Sequence, residues 1–262
     1  MVAGSEPFPL WDGRVEDPAP GTLQDWAGRY QRAAEALGLS RGVVVHSILY
    51  GSDNGVTLAA IRALGPDRFK GIGLVTDGAA DAELASLAGQ GVVGVRLNYV
   101  HGGVLSWDGA KAMAPRLAAH GLHIQMLLHT HLHMETVAAD LAALPVPVVF
   151  DHLGWPDLTL GVTDPGFQRL LRAVGEGQCW VKLSAIYRLS RSVDQAAAFV
   201  AALVAANPER CLWGTDWPHL MLADAEMPEP GGLLDALYDA VPNADAQHRI
   251  LVDNPVALYG FG

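Results

Sequence analysis

The stretch RCLWGTDWPH, residues 210–219, joins a short apolar run to a cluster of polar and aromatic residues. The apolar part is continuous rather than alternating, which is typical of a strand buried on both faces of a parallel sheet. In barrels built from parallel strands, the chemistry lies at the carboxyl ends of the strands. Here that end carries Asp216 and His219, separated by a rigid Trp-Pro turn. The stretch therefore predicts a buried strand followed directly by functional side chains.

Six further apolar runs of the same kind precede this one, and helical patterns separate them. The segment 22–38 offers Thr22 as N-cap and Gly38 as a stop, and segments 164–177 and 192–208 have the same helical character. Alternation of single strands with single helices predicts a parallel α/β fold. The six runs are residues 42–47 (GVVVHS), 70–75 (KGIGLV), 91–98 (GVVGVRLN), 122–129 (LHIQMLLH), 146–152 (VPVVFDH) and 179–184 (CWVKLS).

The pattern favours one (β/α)8 TIM barrel over residues 1–262 that lacks its first strand. Only seven strand-like runs are present, and residues 1–21 are rich in proline, as in an irregular N-terminal arm. The alternative is an open doubly wound sheet. That fold usually carries a G-x-G-x-x-G loop after an early strand, and the sequence has none.

The composition and net charge limit the classes of partner that we expect for this protein. Half of the 262 residues are hydrophobic, which suits a sizeable core, and the formal net charge is −11. An acidic surface repels nucleic acids and anionic membranes, so we expect neither as a partner. Cys179 and Cys211 do not make a disulfide framework, and no apolar run is long enough to span a bilayer. Residues 1–13 do not resemble a signal peptide, so we expect a cytoplasmic protein.

Polar residues follow six of the seven predicted strands at their carboxyl ends. Because these ends share one rim of a barrel, we expect the side chains to converge there. They include His46 and Tyr50–Asn54 after the first run, Arg96 and Asn98, His129, Asp151 and His152, Lys182 and Ser184, and Asp216 with His219.

Asp216 and His152 are the predicted catalytic residues. Asp216 can also serve as a helix cap, and His152 can also be a core histidine, but their positions directly after buried strands favour acid–base roles. Arg96 interrupts an apolar strand, so it either pairs with a carboxylate or holds an anionic group of a substrate. For Arg188, a solvated position and a position over the barrel mouth are both open. Trp107, Trp155 and Trp217 can line a pocket at the rim, but core packing is favoured for them.

The run HTHLH, residues 129–133, offers three histidines to a metal. It lies where a predicted strand turns into a helix, so the three rings need not share a face. His129 alone remains a candidate metal ligand from this run.

Taken together, the ordered motifs VVVHSILYGSDN, GVRLN, VVFDHLGWPD, VKLSAIYRLS, LWGTDWPH and DNPVALYGF resemble the amidohydrolase-2 group of TIM-barrel hydrolases, in particular the 2-pyrone-4,6-dicarboxylate lactonase-like branch. The resemblance extends from about residue 8 to the end. It implies hydrolysis that is metal-dependent or, in the lactonase branch, metal-independent.

The resemblance also implies roles for single residues. Asp216 matches the family's general base, and His152 matches its histidine after the sixth barrel strand. Arg96 and Arg188 match arginines that hold substrate carboxylates, and the loop from Tyr50 to Asn54 matches a segment lining the same mouth. The family's His-x-His pair of strand one has no counterpart here, as if the chain began just downstream of it.

The predicted function is hydrolysis of a small carboxylated lactone or related cyclic ester, with Asp216 as general base. The predicted substrate contacts are Arg96, Asn98, Tyr50, Asn54, Arg188 and His219. If a divalent metal such as Zn or Mn is bound, its candidate ligands are His129, His152 and Asp216. The alternatives are a decarboxylase or hydratase on the same barrel, or a non-catalytic form that binds an acid. A missing strand would expose two sheet edges, so we also expect a homodimer unless residues 1–7 fill the gap.

Overall fold

The computed structural model describes residues 8–14, 17–18, 20–189, 193–219 and 228–262. Strands and helices alternate through this part of the chain, which makes the fold α/β. Each strand overlaps one of the seven predicted apolar runs. The strands are β1 (Gly42–Val45), β2 (Phe69–Gly73), β3 (Val92–Asn98), β4 (His123–Leu127), β5 (Val148–Phe150), β6 (Trp180–Ser184) and β7 (Cys211–Gly214).

Helices follow most of the strands. A π-helical turn at Arg249–Asp253 precedes the last helix, and short 3-10 turns lie at Ile48–Tyr50, His152–Gly154, Leu158–Leu160 and Pro208–Arg210. The α-helices are α1 (Leu23–Ala36), α2 (Gly55–Leu64), α3 (Asp81–Gly89), α4 (Trp107–Ala119), α5 (Thr130–Leu141), α6 (Pro165–Gly175), α7 (Ile186–Leu189), α8 (Val193–Ala206), α9 (Pro230–Ala240), α10 (Ala244–His248) and α11 (Asn254–Tyr259). Throughout the described ranges, none of these helices has the length and apolar character needed to cross a bilayer.

The order of the strands in the sheet follows their order in the chain, from β1 to β7. The pairs β1–β2, β2–β3, β5–β6 and β6–β7 are parallel, and in the last of them Ser184 lies opposite Gly214. Parallel strands in chain order with helical crossovers are the topology of a TIM barrel. The predicted α/β fold with seven parallel strands is confirmed, and this topology is consistent with an incomplete barrel.

The chain divides into two compact units, Met1–Gln125 with Phe261–Gly262, and Met126–Gly260. In the first unit, α1 begins at the predicted cap. Thr22 accepts a hydrogen bond from the Asp25 backbone, and the Asp25 carboxylate accepts one from the Thr22 backbone at 3.0 Å. The described part of the N-terminal arm has no helix or strand, and the Trp11 backbone N–H donates to the Leu49 carbonyl at 2.8 Å. The predicted gap-filling residues 1–7 lie outside the described residues.

In the second unit, close packing fixes the start of α5, the helix that follows β4. A Cβ atom on Gly166 of α6 would lie only 2.2 Å from the Thr130 carbonyl oxygen, so only glycine permits this approach of the two helices. The rings of Phe167 and Phe199 meet edge to face at 4.8 Å and join α6 to α8. These contacts pack α5 against α6 and α6 against α8.

Candidate active site

Four polar side chains of the second unit meet just beyond the carboxyl ends of β5, β6 and β7. Asp216 follows β7, His152 follows β5, and Tyr187 and Arg188 lie in the short helix α7 after β6. The Tyr187 hydroxyl donates to Asp216 Oδ2 at 2.6 Å, and Arg188 Nε donates to the same oxygen at 2.8 Å. The other oxygen, Oδ1, lies 3.8 Å from His152 Nε2. One carboxylate is thus held from one side and faces an imidazole on the other.

The backbone around these side chains is strained. Among the described non-glycine residues, positive φ angles occur only in the loops after β5, β6 and β7. They include His152 at 54°, Ala185 at 53°, Asp216 at 56° and His219 at 61°. Such left-handed conformations cost free energy for residues with a Cβ atom, and they cluster at functional sites where the surrounding structure imposes them. The strain therefore marks these three loops as a site, independently of the side chains they carry.

Asp216 remains ionised in this environment. Burial acts to raise the pKa of its carboxyl, but His152, the Arg188 guanidinium, the Tyr187 hydrogen bond and the Lys182 ammonium outweigh burial and hold the pKa below the usual value. About 20% of the side chain is accessible, which lets a water molecule or a small substrate reach it. Asp216 is therefore a partly buried carboxylate, with Oδ2 engaged in two hydrogen bonds and Oδ1 directed toward His152.

His152 is neutral near pH 7. Burial lowers its pKa to about 4, although the carboxylates of Asp216 and Asp151 act in the opposite direction. Its Nδ1 lies 2.9 Å from Ser184 Oγ, at the end of β6. This contact orients the ring so that Nε2 faces Asp216.

A largely buried ion pair lies beside Asp216 and His152. Lys182 Nζ donates to Asp151 Oδ1 at 2.7 Å, and the side chains are 14% and 1% exposed. Lys182 and Ser184 are two residues apart on β6 and so point to the same face of the sheet. Lys182 thus neutralises the Asp151 carboxylate next to His152, while Ser184 on the same face of β6 orients the His152 ring.

A cavity of about 520 Å³ adjoins this cluster through Arg188. Trp155 forms part of its wall, and its ring meets those of His129 and His152 edge to face at 5.7 and 5.6 Å. Arg188 makes both of its hydrogen bonds through Nε, so within the described residues its two Nη groups remain available to an anionic ligand. The cavity is lined by His129, His131, Trp155, Pro156, Asp157, Leu158, Thr159, Arg188, Leu189 and Gln195.

Comparison with known proteins assigns the family. The family model described as amidohydrolase matches residues 5–261 of the chain. The chain belongs to the amidohydrolase family. Its resemblance to lactonase-like hydrolases, inferred from the sequence motifs, is confirmed by the relatives it matches.

Sequence identity and coverage measure the similarity to two curated relatives and to one solved structure. A 2-pyrone-4,6-dicarboxylate hydrolase of Comamonas testosteroni is 36% identical over 237 residues, covering 85% of this chain and 77% of its own. A 4-sulfomuconolactone hydrolase of Hydrogenophaga intermedia is 33% identical over 262 residues, covering 97% and 84%. The structure of a putative 2-pyrone-4,6-dicarboxylic acid hydrolase from Pseudomonas putida is 29% identical with a TM-score of 0.80, covering 95% and 90%. This amidohydrolase is accordingly an enzyme of the hydrolase class.

The structure brings several predicted site residues of this amidohydrolase together. Asp216, His152 and Arg188 form the cluster described above, and His219 packs its ring edge to face on Tyr187 at 5.3 Å. His219 is only 4% exposed, and neither of its ring nitrogens has a hydrogen-bond partner among the described residues. His129 lies at the predicted strand-to-helix junction, as N-cap of α5, and lines the cavity.

Three of the predicted substrate contacts of the first unit, Asn54, Asn98 and Arg96, make hydrogen bonds to backbone groups. The Asn54 side chain bonds the Leu74 carbonyl and N–H, both at 2.8 Å, and Asn98 Oδ1 accepts from the backbone of Val100 and His101. Tyr50 is 2% exposed, and Arg96 Nη1 donates to the His46 carbonyl at 3.2 Å. A substrate role for Tyr50, Asn54, Arg96 and Asn98 stays a prediction.

A divalent metal held by His129, His152 and Asp216 stays a prediction. Within the described ranges, no group of three or more histidine, cysteine, aspartate or glutamate side chains is placed to hold an ion. One oxygen of Asp216 is already taken by a cation and a phenol, and His129 Nδ1 lies 3.4 Å from the Trp155 carbonyl. A zinc site needs three or four converging donors, and Asp216 with His152 supplies two.

Two site residues escaped the sequence prediction. Tyr187 is the neighbour of Arg188 in AIYRLS, and only the turn at Ala185 reveals that its hydroxyl reaches Asp216. Trp155, predicted to pack in the core rather than line a pocket, lines the cavity. The strained turn after β5, where Trp155 has a φ of 43°, is the physical reason for that correction.

Proposed function

We propose that this amidohydrolase hydrolyses a small lactone that carries a carboxylate or another acidic group, with Asp216 as general base. The observation that carries the proposal is the asymmetric setting of Asp216, whose Oδ2 is held by Tyr187 and Arg188 while Oδ1 faces His152. The named substrates of the two curated relatives, a pyrone dicarboxylate and a sulfomuconolactone, are lactones with acidic substituents.

In the proposed reaction, Asp216 Oδ1 accepts a proton from a water molecule as the water oxygen attacks the lactone carbonyl. Proton transfer to a positioned carboxylate contributes about 10²- to 10⁴-fold to such reactions. The tetrahedral intermediate then collapses, the bond between the carbonyl carbon and the ring oxygen breaks, and the ring oxygen takes the proton back from Asp216. The product is the open-chain acid, and Asp216 returns to its ionised form.

His152 stabilises the negative charge that forms on the carbonyl oxygen. We assign the Ser184 hydroxyl as the donor to Nδ1, which lies 2.9 Å away, so that the neutral ring carries its proton on Nε2, on the side of Asp216. A single donor aimed at a developing oxyanion is worth about 10²- to 10³-fold in rate. These steps use side chains of this chain alone, and a divalent metal at the site stays a separate prediction.

Arg188 links the general base to substrate binding. Its Nε is bonded to Asp216, and its Nη groups offer a fork that matches a carboxylate or sulfonate. An acidic substituent bound there lies next to Asp216, with the rest of the lactone against Trp155 and His129.

The experiment is a substrate panel with the purified protein. The panel contains 2-pyrone-4,6-dicarboxylate, 4-sulfomuconolactone, D-galactarolactone and their uncharged ester analogues, and products are identified by mass spectrometry. We expect the gain of one water molecule on an acidic lactone, and much weaker activity on the uncharged analogues. Release of carbon dioxide or addition of water without ring opening would instead identify a lyase, and binding without turnover would identify a non-catalytic form.

A further inference from the structure

Tyr187, Arg188 and Asp216 form a closed triangle of hydrogen bonds. The Tyr187 hydroxyl donates its single hydrogen to Asp216 Oδ2 at 2.6 Å, and its oxygen accepts from Arg188 Nε at 3.2 Å. Arg188 Nε also donates to Oδ2 at 2.8 Å. Because each group constrains the other two, the plane of the carboxylate is fixed without any contact to Oδ1.

The phenol ring is held from two sides. The His219 ring lies edge to face on it at 5.3 Å with an interplanar angle of 84°, and the Arg188 guanidinium carbon lies 5.6 Å from the ring centroid. The left-handed turn at Ala185, directly after β6, brings α7 and its tyrosine to this position. Since His219 makes no hydrogen bond among the described residues, its contribution here is the packing contact.

Building on the proposed function, we infer that Tyr187 is a positioning residue for the general base: it occupies Oδ2 of Asp216 and leaves Oδ1 as the oxygen that accepts the proton. A free carboxylate rotates and offers either oxygen, whereas one with two donors on Oδ2 presents a single basic oxygen in a fixed direction. Fixing a reacting group in this way lowers the entropy lost on reaching the transition state.

The same hydrogen bond affects the acidity of the base. It stabilises the ionised form of Asp216 and so lowers its pKa, whereas burial raises the pKa of Tyr187 and keeps the phenol protonated as a donor. Removal of the hydroxyl is therefore expected to raise the pKa of Asp216. The titratable and charged groups around the carboxylate are His152, Lys182, Tyr187, Arg188 and His219, with Asp151 behind Lys182.

The test is Tyr187→Phe, assayed with the acidic lactone that the wild type turns over. Hydrogen bonds to charged groups contribute about 1.5 to 3 kcal/mol, so we expect kcat to fall roughly 10- to 100-fold. We also expect the acid limb of the pH profile to move to higher pH and KM to change little. The matched control is Tyr238→Phe, an exposed tyrosine on α9, which leaves all three quantities unchanged.

A second pair of variants covers the case in which Tyr187→Phe does not fold. Tyr187→Gln keeps a hydrogen-bond donor and Tyr187→Leu does not, and both side chains are smaller than tyrosine. We expect the glutamine variant to keep more activity and an acid limb closer to that of the wild type. Equal activities and equal pH profiles for these two variants would overturn the inference.

The failure of this inference is distinguishable from that of the proposed function. If Asp216→Asn abolishes turnover but Tyr187→Phe retains the wild-type kcat and pH profile, Asp216 acts without help from Tyr187. A rise in KM with an unchanged acid limb would make Tyr187 a substrate contact and would also overturn the inference. If Asp216→Asn retains full activity, the proposed function itself fails.

Discussion

The buried pair Asp151–Lys182 predicts a large loss of stability when its lysine is removed. Lys182→Met keeps the length of the side chain but leaves the carboxylate of Asp151, 1% exposed, without its lysine. Breaking a buried pair on one side costs about 3 to 5 kcal/mol, and the 14% exposure of Lys182 places the expected loss near the lower end, at about 3 kcal/mol. For a chain of this size, that corresponds to a fall in Tm of roughly 6 to 12 °C.

Thermal and urea unfolding followed by circular dichroism measure this loss. The control is Lys111→Met on α4, whose ion pair with Asp108 at 3.0 Å has side chains 33% and 92% exposed. We expect a change within about 0.5 kcal/mol. The double variant with Asp151→Asn removes both charges, so its cost should fall short of the sum of the single variants by about 1 to 3 kcal/mol. A loss below about 1 kcal/mol for Lys182→Met, or strict additivity, would refute this reading of the pair.

Three further predictions concern Ser184 and the buried histidines His46 and His152. Ser184→Ala removes the contact that orients His152 and should lower kcat about tenfold with little change in KM. A tenfold rise in KM with an unchanged kcat would contradict the role given to Ser184. Activity should persist into acid and fall only as pH drops to about 4 and below, where His152 becomes charged and Asp216, whose pKa lies below its usual value, becomes protonated. A limb near pH 6.5 in the pH–rate profile would contradict a neutral, buried His152 ring. Burial lowers the pKa of both His46 and His152 to about 4 in the folded protein, whereas the unfolded chain binds these protons near pH 6.5. The free energy of unfolding should therefore decline as the pH falls from 6.5 to 4. Denaturant titrations that show a constant free energy of unfolding over this range would contradict the prediction.

The strands and the ends of the first helix were predictable because they depend on local pattern. Continuous apolar runs give strands buried on both faces, and Thr22 followed by Asp25 gives a capping box. Placement of Asp216 and His152 in one cluster was also predictable, because both directly follow buried strands whose carboxyl ends meet. In each of these cases the fold determines the position of the Cα atom, and that position alone is enough to predict the element or the cluster.

Side-chain direction was not predictable. The sequence left open whether Arg188 is solvated or lies over the barrel mouth, and the structure shows that its Nε binds Asp216 while the residue lines the cavity. Left-handed turns at Ala185 and Trp155 decide where Tyr187 and Trp155 point, and these residue types give no hint of a positive φ. The hydrogen bonds of Asn54 to the backbone of Leu74 likewise depend on a loop geometry that spacing does not reveal.

The most direct measurement of the role of Asp216 is kcat for Asp216→Asn on an acidic lactone, beside the control Asp239→Asn on the exposed side of α9. Asparagine retains the size of the side chain but cannot accept a proton from water, so we expect kcat to fall by about 10² to 10⁴ while the control matches the wild type. Unfolding curves that match the wild type establish that the loss is chemical. Turnover by Asp216→Asn at the wild-type rate would contradict the assignment of Asp216 as the general base.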